Sequence, residues 1–326
     1  MQNFAYAGPS SLNEAIGLLD AKWGRTAILA GGTDLLSLMK DGGDDSSRLV
    51  NIKKITELGR IHEEDGHRIG ALVTFGELLT HGGIQKQFPS LVQAAEGVSS
   101  PQIRNMGTVG GDLLQRPRCW YYRGGYGLLA MDNGKSLVPG GDNRYHAIFG
   151  NGGPAYFVSP SSLAPALITL QAKVTLHGPS GPRQIPVEEL FMTPKAEGER
   201  EHSIRPNEIL TEISIPADAR EWRNATYEVR EKEALDWPLT TASVALKMEG
   251  GKIGSARVVL GHVAPIPWRS RAAEQELEGK SLTEETAAAA GEAAVRGAKP
   301  LSDNGYKVQL ARVAVKRALL RAKEGA

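Results

Sequence analysis

The protein has 326 residues, enough for two or three domains, and its 41% hydrophobic and 23% charged residues exclude a wholly disordered chain. The 38 basic and 37 acidic side chains give a formal charge of +1, so generic binding to nucleic acid or to an anionic membrane is not expected. A single cysteine excludes an internal disulfide and any multi-cysteine metal or iron–sulfur site.

The first predicted unit, residues 1–58, alternates short strands with helices, which favours parallel strand pairing. Ser11 and Glu14 form a capping pair that predicts the start of one helix. Thr33 is expected to cap a second helix that runs to Lys40. The predicted strands cover residues 4–6, 26–30 and 48–52.

The second predicted unit, residues 59–180, begins with a hairpin, because Asp65-Gly66 separates two strand-like runs. Helices and a long glycine-rich region follow. The third unit, residues 181–326, is predicted to hold antiparallel strands and then three helices, with Ser281 and Glu284 as a further capping pair.

Glycine is unusually frequent, with 38 residues, or about 12% of the chain against an average of about 7%. Gly31-Gly32 lies between a predicted strand and a predicted helix, and Gly110-Gly111 follows the hydroxyl residue Thr108. Free backbone amides in such segments bind diphosphate, because glycine lets oxygen atoms approach closely. The alternatives are a tight strand-to-helix turn for the first pair and a loop packed against a sheet for the second.

Other ligand-binding signatures fail. No Gly-x-Gly-x-x-Gly follows a strand, residues 133–136 lack the upstream glycine of a P-loop, and the seven histidines form no zinc pattern. Residues 113–187 hold seven basic side chains and two acidic ones, which either neutralise a phosphate-bearing ligand or form ordinary solvated surface.

Four segments together carry a family resemblance. In order they are LAGGTDLLSLMK, IRNMGTVGGDLLQRPRCWYYR, SPSSLAPALITLQAKV and GHVAPIPWRSRAAEQELEGK, and they span nearly the whole chain. The sequence resembles the FAD-binding medium subunit of the molybdenum hydroxylases, the family of xanthine, aldehyde and carbon monoxide dehydrogenases.

The resemblance implies an α+β fold of the vanillyl-alcohol-oxidase (PCMH) type. Two N-terminal subdomains would hold FAD non-covalently, and a C-terminal domain of antiparallel strands and helices would cover it. Electrons would leave a substrate at the molybdenum cofactor of a large subunit and cross two-iron clusters of a small subunit. They would then reach FAD here and pass to NAD or another acceptor. No side chain of this chain need act as a catalytic residue. A cytoplasmic location is expected because no signal or membrane segment is visible, and export in complex with a signal-bearing partner is the alternative.

The resemblance also implies which residues contact FAD. One half of the diphosphate cradle would be Ala27, Ile28, Leu29, Ala30, Gly31, Gly32, Thr33, Asp34 and Leu35. The other half would be Thr108, Gly110, Gly111 and Asp112, and the flavin would meet Ser162, Leu210 and Glu228, with Arg230, Asp236 and Trp237 nearby. Three of these residues depart from the usual pattern. Asp112 replaces Asn, Ser162 replaces Asp, and Glu228 replaces a frequent Lys.

Cys119 lies in a segment that resembles relatives with a four-iron cluster in this subunit. One cysteine cannot hold such a cluster, so no iron–sulfur cluster or other metal is expected in this chain. Residues 116–155 are interpreted as the loop that holds the four-iron cluster in those relatives and that lacks the cluster here. The same loop is interpreted as a docking surface for the partner subunits. The simpler interpretation of Cys119 is a small buried apolar residue.

Two other functions stay open. A free-standing flavoprotein oxidoreductase of the same fold would need its own substrate pocket, and Asp236 is its one candidate base. A non-enzymatic scaffold that has lost flavin would be consistent with Ser162, Glu228 and the missing cluster cysteines.

Overall fold

A computed structural model describes residues 1–98, 100–231 and 237–324. Its N-terminal unit is a three-stranded sheet with two helices, built as the alternating pattern predicts. The elements are β1 (Ala5–Ala7), α1 (Leu12–Gly17), β2 (Thr26–Leu29), α2 (Leu35–Lys40) and β3 (Arg48–Asn51). The strand order is β1-β3-β2 and both pairs are parallel. Apolar side chains of α1 and β3, among them Ile16 and Val50, form a small core with the 3₁₀ turns that follow.

The two helix starts in this unit differ from the prediction in detail. Ser11 accepts a hydrogen bond from the Glu14 N–H, but the Glu14 carboxylate accepts from the Ser10 N–H, so the capping pair is not reciprocal. The second helix begins at Leu35 and Thr33 does not cap it. Gly32, at φ +77°, is in left-handed conformation, and Asp34 occupies the N-cap position without a side-chain cap hydrogen bond.

The second unit is a five-stranded antiparallel sheet covered by helices. Its elements are β4 (Ile61–His62), β5 (Gly66–Gly70), α3 (Phe75–Thr80), α4 (Gly82–Gln87), α5 (Pro89–Glu96), α6 (Pro101–Met106), α7 (Val109–Leu113), α8 (Trp120–Arg123), β6 (Met131–Asp132), β7 (Lys135–Ser136), α9 (Ala164–Thr169), β8 (Lys173–Gly178), β9 (Gly181–Pro186) and β10 (Ile209–Pro216). The sheet order is β4-β5-β10-β8-β9, and β6 and β7 form a separate hairpin. The hairpin at Asp65-Gly66 is present, and both residues have positive φ.

The sheet does not end at the expected boundary near residue 180. β9 and β10 both lie beyond that residue, yet β9 pairs with β8, and β10 lies between β5 and β8. Residues 181–216 therefore belong to the second sheet rather than to the C-terminal unit. Since the next strand joins another sheet, we propose the domain boundary between Pro216 and Arg223.

The C-terminal unit is a four-stranded antiparallel sheet with three helices packed on it. Its elements are β11 (Arg223–Val229), β12 (Thr240–Glu249), β13 (Lys252–Gly261), β14 (Trp268–Arg269), α10 (Arg271–Leu277), α11 (Glu284–Ala294) and α12 (Tyr306–Glu324). α11 is capped by Thr283 with Thr286 rather than by the predicted Ser281 with Glu284. Buried alanines on α11 and α12 let the two helices pack closely.

Hydrogen bonds between α5 and β11 join the C-terminal sheet to the second unit. Asn224 of β11 accepts a hydrogen bond from the Ser90 N–H at 2.9 Å, and Gln93 accepts one from the Thr226 N–H at 2.7 Å. In the described part of the chain, no helix is both long and apolar enough to span a membrane.

Candidate functional site

A cavity of about 620 Å³ opens beside both glycine segments, a volume in the usual range for cofactor sites. Its walls include the loop between β2 and α2, the start of α7, the beginning of β10 and residues 237 and 238. Of the predicted site residues, the cavity is lined by Ala27, Ile28, Ala30, Gly31, Gly32, Thr33, Asp34, Leu35, Thr108, Gly110, Gly111, Asp112, Ser162 and Leu210.

The first glycine loop presents unused backbone donors to this cavity. The N–H groups of Gly31, Gly32, Thr33 and Asp34 donate no hydrogen bond to the residues that the structure describes. Gly31 also touches the second glycine segment. A Cβ built on it would lie 2.8 Å from the carbonyl carbon of Met106 and closer still to its oxygen. Glycine is therefore required here for close backbone packing, and the loop offers a row of amides suited to an anion.

The second glycine segment does not supply the free amides that the sequence led us to expect. The Gly110 N–H donates to the Ala71 carbonyl at 2.9 Å, and the Gly111 N–H donates to the Thr108 hydroxyl oxygen at 3.1 Å. The Val109 N–H is also used by a backbone carbonyl. This segment contributes the Thr108 hydroxyl to the cavity, and the hydroxyl proton remains available for donation. The two glycines add a stretch of wall without side chains.

Asp112 lines the cavity, and its carboxylate is occupied by donors of the protein itself. Its carboxylate accepts hydrogen bonds from the Ser161 hydroxyl at 2.5 Å, from the Leu163 N–H at 3.0 Å and from the Ser162 N–H at 3.2 Å, with Gln115 as a fourth donor. Burial raises the pKa of Asp112 to about 6, against the opposing effect of these hydrogen bonds. The carboxyl group thus fastens the turn before α9 to α7, and Ser162 lines the cavity from that turn.

Two predicted residues are not part of the cavity wall. Leu29 packs its side chain against Met39 and Leu49 in the core beneath α2. Glu228 lies behind Gly97, and its carboxylate pairs with Arg230. Burial raises the pKa of Glu228 to about 7 although Arg230 opposes the shift. Asp236 lies outside the described residues.

The role of Asp34 in the folded chain is not evident from the sequence. Its carboxylate accepts a hydrogen bond from the Arg116 N–H at 2.8 Å and another from the Arg123 guanidinium at 2.7 Å. The guanidinium of Arg118 lies 3.5 Å away and rests on the ring of Trp237 at 4.0 Å from its centroid. Asp34 thereby fixes the start of the 116–155 loop beside the first glycine loop. The excess of basic residues after position 113 was the one feature of the sequence that pointed here.

Cys119 lies within the same loop and is partly buried. Its Sγ atom is 3.1 Å from His146 Nε2, and burial raises the pKa of the thiol. The buried Lys307 of α12 holds this part of the loop by donating to the carbonyls of Tyr145, His146 and His262. In the described ranges, no group of three or more His, Cys, Asp or Glu side chains is arranged to hold a metal ion.

Comparison with known families agrees with this architecture. Residues 2–218 match the family described as FAD binding domain in molybdopterin dehydrogenase. The chain belongs to the molybdenum hydroxylase FAD-subunit family. Residues 225–322 match the CO dehydrogenase flavoprotein C-terminal domain, so the division between the two matches falls where the second sheet ends. The recognised family, the expected FAD-binding fold and the oxidoreductase class are confirmed.

Relatives of this FAD-subunit family cover almost the whole chain. The carbon monoxide dehydrogenase medium chain of Hydrogenophaga pseudoflava is 30% identical over 97% of this chain and 96% of its own length. The xanthine dehydrogenase FAD-binding subunit of Escherichia coli O157:H7 is 28% identical over 93% of this chain and 89% of its own. Among solved structures, the carbon monoxide dehydrogenase of H. pseudoflava lacking the Mo-pyranopterin moiety superposes with a TM-score of 0.78 at 30% identity, covering 100% of this chain and 99% of that chain.

Proposed function

We propose that this chain is the FAD-carrying electron-transfer subunit of a molybdenum-dependent dehydrogenase. In the complex, a large subunit with the molybdenum cofactor and a small iron–sulfur subunit would supply the electrons, and NAD or another acceptor would receive them. FAD, when bound, supplies a group that exchanges single electrons with iron–sulfur clusters and electron pairs with a soluble acceptor. The cytoplasmic location predicted from the sequence is part of the proposal, and cell fractionation tests it.

The observation that carries the proposal is the row of unused amides from Gly31 to Asp34 beside a cavity of about 620 Å³. Four adjacent N–H donors can each donate to an oxygen atom of a diphosphate. Each such charge-assisted hydrogen bond contributes about 1.5–3 kcal/mol to binding. Thr108, from the adjacent second glycine segment, adds a hydroxyl donor to the cavity lining. Leu210 and Ser162 add an apolar and a small polar surface, which suit a flavin ring.

The residues that we propose to hold FAD are therefore a subset of those implied by the resemblance. The backbone of residues 27–35 and the side chain of Thr108 would hold the diphosphate, and Gly110 and Gly111 would allow its close approach. Asp112 would act through the position of Ser162 rather than by contact. Glu228 would not contact FAD directly. It would lie next to Gly97 as a buried carboxyl group close to the cavity wall.

A tagged pull-down with flavin, iron and molybdenum analysis tests the proposal. We expect about one FAD per chain, two co-purifying subunits, and iron and molybdenum that leave with those subunits when the complex is separated. FAD without partners would instead favour a free-standing flavoprotein. A folded chain with partners but without FAD would favour a scaffold, and either result would refute the proposal. Anaerobic reduction of the complex followed by NAD addition then decides whether NAD is the acceptor.

A further inference from the structure

Three arginines of the 116–123 segment lie beside the first glycine loop. The guanidinium groups of two of them form short contacts with carboxylates of the protein. Arg116 forms an ion pair with the buried Glu201. Arg123 donates to Asp34 at 2.7 Å and to the Pro117 carbonyl at 3.0 Å. Both guanidinium groups therefore have their charge balanced by contacts that the folded chain already makes.

Arg118 differs from these two neighbours. Its distance of 3.5 Å to Asp34 is too long for a strong hydrogen bond, and that carboxylate already accepts from two other donors. The Nε atom of Arg118 is buried without a hydrogen-bond partner among the described residues. Burial lowers the pKa of Arg118 to about 10, because its charge is desolvated more than the nearby carboxylates compensate.

The position of Arg118 indicates which ligand could pair with its guanidinium. Its guanidinium reaches Asp34, which is itself one of the four residues with unused backbone amides, and Arg118 lines the same cavity. The ring of Trp237 supports the guanidinium from one side, which limits its rotation. A partly buried cation next to a row of N–H donors is an anion-binding arrangement. The planar fork of arginine matches two oxygens of one phosphate.

We propose that Arg118 binds the diphosphate of FAD and supplies the positive charge that the glycine loop lacks. The inference rests on the proposed function and names a ligand-binding side chain for it. Asp34 acts as a positioning residue, because it brings the arginine segment to the loop. The guanidinium of Arg123 also neutralises the charge of Asp34, and the backbone N–H of Arg116 donates to the same carboxylate, which reduces its repulsion of the phosphates.

Flavin binding to the purified full-length chain, stripped of its cofactor, tests this proposal. We compare FAD with riboflavin, which lacks the phosphates, for the wild type, Arg118→Gln and Arg118→Lys. The control is Arg144→Gln, since Arg144 is exposed, lies in the same loop and, among the described residues, forms an ion pair with Asp142 alone. For Arg118→Gln we expect the dissociation constant of FAD to rise roughly 10- to 100-fold and that of riboflavin to change less than about 2-fold.

Two further readouts separate a charge contact from a packing role. Arg118→Lys should give an intermediate loss, because an ammonium group keeps the charge but not the fork. Raising the salt concentration should weaken FAD binding less in Arg118→Gln than in the wild type, because one charge pair has been removed. Arg144→Gln should match the wild type in every assay.

Several results would overturn the proposal. Unchanged FAD affinity in Arg118→Gln, or an equal loss for riboflavin, would show that the side chain does not contact the phosphates. A nicotinamide dinucleotide carries the same diphosphate, so a loss seen for NADH but not for FAD would reassign the residue. If Arg118→Gln unfolds, full FAD affinity in Arg118→Lys at a wild-type salt dependence decides against a phosphate contact through the fork. A folded wild-type chain that binds neither flavin refutes the proposed function itself.

Discussion

Replacing Gly31 by alanine perturbs the point where the two glycine segments touch. The added Cβ would lie 2.8 Å from the carbonyl carbon of Met106 and 3.2 Å from the Gly107 Cα, with the Met106 oxygen nearer still. All three neighbours are backbone atoms, so no side-chain rotation relieves the contact. The two segments must separate by roughly the radius of a methyl group.

The cost of this separation can be estimated from overpacked cores, where an inserted methyl group destabilises by about 1–3 kcal/mol. For a unit of about 200 residues, each kcal/mol lowers Tm by about 2–4 °C. We therefore expect Gly31→Ala to lower the Tm of the flavin-free chain by about 2–12 °C. Because the unused amides lie in the same loop, we also expect FAD affinity to fall by at least about 10-fold.

The assay combines thermal unfolding of the flavin-free chain with FAD titration. Gly152→Ala is a matched control, since Gly152 has no positive φ and a Cβ there would meet nothing within 4 Å. If Gly31→Ala and Gly152→Ala gave the same Tm and the same FAD affinity, the close approach of the two segments would not be what positions the amides. The reasoning for this site would then be refuted.

Two other buried acids give predictions of their own. Asp112→Asn should lower the unfolding free energy of the flavin-free chain by about 1–3 kcal/mol at pH 8, because an amide NH₂ would face donors that now reach a carboxylate. Urea unfolding measures this free energy, and an unchanged value would contradict the hydrogen-bond network. The pKa of Glu228 is raised from 4.5 to about 7, so between these pH values the native state holds a proton that the unfolded state has lost. The stability gained from that proton is fully present below about pH 4.5 and is lost as pH rises through 7. Glutamine does not titrate, so the unfolding free energy of Glu228→Gln relative to the wild type should increase from pH 5 to pH 8; a difference independent of pH would show that Glu228 is not buried as described.

Much of the fold followed from local sequence patterns. The alternation of strands and helices in residues 1–58, the hairpin at Asp65-Gly66 and the three C-terminal helices depend on residues close together in the chain. The Gly31-Gly32 pair was likewise identified from its immediate neighbours, a buried strand before it and a helix after it. Local conformational preference and hydrophobic periodicity are written in a single stretch of sequence, so a single stretch reveals them.

The position of β10 could not be obtained in that way. Its alternating pattern indicates a strand, but only pairing with β5 and β8, which come from much earlier in the chain, assigns it to the second sheet. For this reason the boundary expected at residue 180 differs from the end of that sheet. A strand pattern specifies which face is buried and leaves the partner strands open.

The same distinction holds for the ligand site. The sequence by itself determined the family, the two glycine segments and the residue types that line the cavity. Only the tertiary structure decided that the N–H of Gly31 is unused while that of Gly110 donates to Ala71, and that the Asp34 carboxylate accepts from Arg116 and Arg123. The physical reason is that a donor or a charge is available to a ligand only if no other part of the folded chain satisfies it, and that depends on residues up to 89 positions away.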